Sequence, residues 1–150
     1  MKKARVTAKA AAKEAFIPVL RELARTYQAF TRYSDTHVRS LGLTSSQFDV
    51  ISTLGNTPGM PLNKLAEQTL ITKGTMTGIL DRLEHKGLLR REVPPDNRRS
   101  FVAVLTPEGA RVFEEVFPQH VAHLKQRFGQ LSKEEREQTT LVLRRLRELF

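Results

Sequence analysis

Thr72, Lys73, Gly74, Thr75, Met76 and Thr77 place three short hydroxyls, a cation and a glycine in six consecutive positions. Threonine hydroxyls can bond base edges or phosphates, and threonine methyls can touch the thymine methyl group. Glycine costs a helix roughly 1 kcal/mol against Ala, so Gly74 reads as a point where a duplex comes close. Met76 fits either a base contact or the core. Further along, Arg98 and Arg99 stand side by side behind the polar run PPDN. Arginine on a narrow ribbon suits a minor groove, where A·T tracts deepen the negative potential. Arg82, Lys86, Arg90 and Arg91 are candidates for phosphate contacts, with at least one expected to pair with Asp81, Glu84 or Glu92 instead.

Such residues need a rigid frame, and the flanking pattern supplies one. A short helix over residues 62–69 and a tight connection over 70–72 lead to a helix with Thr72 as its N-cap. Met76, Ile79, Leu80 and Leu83 mark the inner side of that helix, and Gly87 closes it. Two helices joined so closely, the second polar at its N-terminus, predict a helix-turn-helix. Residues 89–93 and 101–105 alternate as short strands, forming a hairpin whose tip holds the paired arginines. Ahead of this unit, Thr44 and Gln47 fit a capping box, and Phe48, Ile51 and Leu54 give the helix they start its core face. After it, Thr106, Pro107 and Glu108 supply an N-cap, an N1 proline and an early acid. Ser132 and Glu135 form a second capping box for the last helix.

The chain ends read as long helices. Phe16, Leu20, Leu23, Tyr27, Phe30, Ser34, His37 and Leu41 follow a 4-3-4 spacing, so one helix is predicted over residues 10–41, beginning or bending near Pro18. At ~45 Å for some 30 residues it outreaches a small domain. Apolar faces that cannot be covered locally are commonly buried across a two-fold axis. The expected fold is therefore mainly α with a small β-hairpin wing. Residues 43–106 are expected to form a winged helix-turn-helix lobe, and residues 10–41 and 107–150 dimerisation helices.

Charge points the same way. The net charge is +9. Residues 1–13 hold five Lys/Arg and no acid, and residues 70–100 hold seven Lys/Arg against four acids. A local basic surplus suits a polyanion such as double-stranded DNA. The absence of cysteine excludes disulfides, thiolate metal sites and thiol redox sensing. No apolar run approaches a membrane span, and no signal core is evident at the N-terminus. Cytoplasmic residence is expected, with no membrane partner. No Gly-rich phosphate loop, paired His/Ser/Asp pattern or metal cluster argues for an enzyme, and no cofactor is expected.

The runs ILDRLEHKGLLRR and DNRRSFVAVLTPEG, behind LTSSQFDVISTL and LAEQTLITKGTMTGILDRLE, resemble the MarR family of bacterial winged-helix transcription regulators. The resemblance implies a homodimer on a pseudo-palindromic operator. It also implies that Arg99, seven residues before Thr106, is the wing-tip arginine. The family's usual Asp two places earlier is here Asn97, with Asp96 one step further back. Many relatives release DNA when a small, often aromatic, anionic compound binds between the dimer helices and the DNA-reading lobe. In this chain that junction would involve Tyr33, Ser34, His37 and Arg39. His120 and His123, three apart on a helix, could share a metal but read better as surface or dimer-interface side chains, so no metal is expected. The expected function is operator repression; the alternative is a winged-helix protein that binds DNA without sequence choice.

Overall fold

A computed structural model describes residues 5–96 and 100–150. Its first element, α1 (Ala8–Ala11), is a single turn capped by Thr7, whose Oγ1 accepts from the Ala10 N–H. The long α2 (Ile17–Ser40) starts separately. The helix read over residues 10–41 thus begins at Ile17, beside Pro18 as expected, and a separate single turn stands ahead of it, for a steric reason. A helix running through residue 14 would drive the Pro18 ring into the Glu14 carbonyl, whereas in a first turn the missing N–H costs nothing. Gly42, at φ +86°, takes the left-handed position that stops α2.

The core is assembled on α3 (Ser45–Leu54), α4 (Leu62–Gln68) and α5 (Lys73–His85). Thr44 and Gln47 form the expected capping box: Thr44 Oγ1 accepts from the Gln47 N–H, and Gln47 Oε1 accepts from the Thr44 N–H. Val50, Ile51 and Leu54 of α3 meet Leu65 of α4 and Met76, Ile79, Leu80 and Leu83 of α5 in one buried cluster. The connection between α4 and α5 is tied down by Asp49 Oδ2, which accepts the Leu70 N–H at 3.2 Å.

Three strands close the lobe. β1 (Met60–Pro61), β2 (Leu89–Glu92) and β3 (Val102–Leu105) form an antiparallel sheet in the order β1-β3-β2. β2 and β3 are the expected hairpin, with Leu89 opposite Leu105 and Glu92 opposite Val102. β1 was not expected. Two residues are too few to show alternation, and a proline is tolerated only at a sheet edge. Gly59 makes it possible, because a Cβ there would come within 2.7 Å of the Ala103 carbonyl oxygen.

From the sheet the chain enters α6 (Pro107–Phe128), capped by Thr106. Its Oγ1 accepts from the Gly109 N–H at 3.0 Å and donates to the Gly87 carbonyl at 2.6 Å. Phe113 and Val116 plant α6 in the core. α7 (Lys133–Glu148) follows, with the Ser132–Glu135 capping box in place, and buries no residue. No helix among the described residues is long and apolar enough to cross a membrane.

Candidate nucleic-acid interface

The two sides of α5 differ sharply. Met76 and Leu80 are fully buried, whereas Thr72, Lys73, Gly74, Thr75, Thr77 and Arg82 are all exposed. Met76 therefore belongs to the core and not to a base-reading face: it lies on the same side as Ile79, Leu80 and Leu83, which contact α3 and α4. The other five expected contacts between Thr72 and Thr77 share an open surface with Gly78. Among the described residues a methyl added at Gly74 or Gly78 would meet nothing within 4 Å, so their packing requires neither glycine. Sequence reasoning overlooked Gly78, although its spacing of four from Gly74 puts both on one helix face. Thr72 holds the N-cap position, but its hydroxyl makes no bond to the helix backbone. It donates instead to Thr75 Oγ1 at 3.2 Å.

The basic residues divide into paired and free. The Arg91 guanidinium pairs with Asp81, approaches Glu84 at 3.3 Å and lies over the Phe101 ring at 5.1 Å. It also donates to the Thr77 carbonyl at 3.4 Å, which ties β2 to α5. Arg90 pairs with Glu92 at 2.8 Å. Lys86 Nζ donates to Gln47 Oε1 at 3.3 Å and so joins α5 to α3. Three of the four supporting cations are thus engaged within the fold; Arg82 has no ion-pair partner among the described residues. Arg98 and Arg99, with Asn97, lie outside the described residues.

The junction of α2 with α6 is built differently from the expectation. His120 is buried and not at the surface. Its Nδ1 lies 2.9 Å from His37 Nδ1, and its Nε2 lies 3.1 Å from Ser34 Oγ. His123 stacks between His37, at 3.9 Å, and Tyr33, at 4.3 Å, and Tyr33 donates its hydroxyl to the His123 carbonyl. Tyr33 and His37 therefore serve helix packing, and Arg39 is exposed at the end of α2. Of the four residues proposed for an effector pocket, only Ser34 lines the adjoining cleft. That cleft, about 630 Å³, runs between α2, α3, the α4–α5 turn and α6.

The contact between two Nδ1 atoms holds only one proton. Burial, and then the charge of the neighbouring imidazoles, lowers the pKa of both His37 and His120 from 6.5. In acid the unfolded chain takes up these protons before the folded chain does, so stability falls as the pH drops below about 6.5. Urea unfolding at about pH 7.5 and about pH 5.5 is expected to show lower stability in acid. A His37→Gln/His120→Gln variant should lose most of that pH dependence; an unchanged slope would remove this pair as its origin.

Residues 43–101 match the MarR family model. HTH-type transcriptional regulator MhqR of Bacillus subtilis is 32% identical over 124 residues, covering 83% of this chain and 86% of that protein. Among solved structures, Sco3205 of Streptomyces coelicolor, a MarR-family regulator in complex with DNA, superimposes with a TM-score of 0.80 at 25% identity, over 99% of this chain and 92% of that one. BpsR of Bordetella bronchiseptica, whose DNA binding is regulated by 6-hydroxynicotinic acid, superimposes with a TM-score of 0.77 at 27% identity, over 90% and 94%.

Proposed function

This chain belongs to the MarR family of DNA-binding transcriptional regulators, and from that premise we propose that it is a homodimeric repressor of a pseudo-palindromic operator, released by a small aromatic effector. Residues 43–106 form the DNA-reading lobe in this reading, and residues 10–41 and 107–150 the dimerisation helices. The observation that carries it is the division of α5: a tightly packed inner side holds Thr72, Lys73, Gly74, Thr75 and Thr77 on an exposed face. A rigid helix with small side chains and an exposed cation at its start is what a major groove accepts. Arg82 adds a phosphate contact, and Arg98 and Arg99 read the minor groove from the wing.

A dimer is supported by the apolar surface at the chain ends. Leu20, Leu23 and Tyr27 of α2 and Leu141, Val142 and Leu143 of α7 are all exposed. An effector is supported by the cleft against the α4–α5 turn, and regulation of BpsR by a small aromatic acid supplies the precedent.

The test is the affinity for a footprinted operator against random DNA at stated salt. A ratio of at least about 10³ is expected, and a ratio near one leaves only DNA binding without sequence choice. Thr75→Ala should cost about 1–3 kcal/mol at one base position while leaving stability intact. A uniform loss over all sequences would make it a phosphate contact.

A further inference from the structure

The charge of the cleft is at odds with the charge of the chain. In a protein of net charge +9, no Lys or Arg lines the cleft among the described residues, yet three acids do: Asp35, Asp49 and Glu67. None of the three forms an ion pair among the described residues. Asp35 accepts the Ser45 hydroxyl, and Asp49 accepts the Leu70 N–H. Both are half-buried, and burial raises the Asp49 pKa, which is the mark of a carboxylate short of compensating charge. The side chains of Phe30, Phe48 and Phe117 line the same cleft. Ser52 also lines the cleft, and its buried hydroxyl oxygen has no hydrogen-bond partner among the described residues.

We propose that this cleft takes an aromatic organic cation, a planar ring carrying a protonated amine, whose charge is read by Asp35, Asp49 and Glu67 and whose ring is read by the phenylalanines. The inference rests on the effector reading above and names the ligand class of that site. The chemistry favours it on two counts. The half-buried carboxylates of Asp35 and Asp49 attract a cation and repel an anion, and the exposed Glu67 adds to that field at the rim; aromatic faces hold cations through their quadrupole. The volume suits a ligand of two or three fused rings.

The same carboxylates supply a route to the DNA-reading helix. Asp49 holds Leu70, two residues before the α5 N-cap Thr72. A cation drawn to Asp49 competes with the Leu70 N–H for that carboxylate and loosens the turn that aims α5. The ligand class expected from the family resemblance, an aromatic anion, would meet repulsion from all three acids.

Isothermal titration of the full chain with a matched series separates the possibilities: 2-naphthylmethylammonium, 2-naphthylmethanol and 2-naphthoate. The ammonium should bind at least about tenfold tighter than the carboxylate, with the alcohol between them. The Asp35→Asn/Glu67→Gln variant should erase most of that preference while still binding the alcohol. Binding of the alcohol also reports that the variant is folded. Tighter binding of the carboxylate overturns the cation and leaves an effector site standing. Binding of none of the three to the wild-type chain overturns both the cation and the effector reading. A cation preference unchanged in the double variant removes Asp35 and Glu67 as charge readers and overturns the three-carboxylate proposal.

Discussion

Met76→Ala should destabilise the protein by about 2–5 kcal/mol, the range for removing a large side chain from a packed core. Met76 sits within the run that otherwise faces outward, yet it is fully buried among α3, α4 and α5 side chains. A domain of this kind has only some 5–15 kcal/mol of total stability, so the loss should be plain in urea denaturation. Met76→Leu, close in volume, should cost less than about 1.5 kcal/mol and retain DNA binding. The neighbouring Thr75→Ala should show the reverse profile, with stability unchanged and affinity reduced. Native-like stability of Met76→Ala together with weakened DNA binding would return Met76 to the reading face.

The second large effect concerns assembly. Leu23→Asp combined with Leu143→Asp should convert a dimer to a monomer in sedimentation velocity and weaken operator binding by at least about 10²-fold. Two linked half-site contacts gain about that much from effective concentration. Both residues are largely exposed, at 43% and 51%, and substitutions at such positions in a monomer usually change stability by no more than about 0.5 kcal/mol. A double variant that still sediments as a dimer would exclude this face as the interface. One that remains monomeric but binds the operator as before would separate dimerisation from DNA recognition.

The features legible in the sequence were those set by short-range rules. Thr44 with Gln47, Ser132 with Glu135, and Thr106 ahead of Pro107 each marked a helix start, because capping is decided within four residues. The helix-turn-helix and the hairpin were legible for the same reason. What escaped was decided by distant partners. Met60–Pro61 is a strand only because β3 lies beside Gly59. His37 and His120 are 83 positions apart, and no local pattern shows that their rings meet. Arg91 carried the same signal as any basic residue in the hairpin, and only its placement over Phe101 and beside Asp81 assigns it to the fold. Asp49 gave no signal at all, since its role depends on the Leu70 backbone 21 residues away.

β3 is paired on both sides, so β2, like β1, lies at an edge of the sheet. Such an edge invites another chain to add a strand, the first step of aggregation. β2 has the sequence LRRE, with three charged side chains in succession. Those charges make strand addition unfavourable, so Arg90 and Glu92 also keep folded molecules apart in a crowded solution.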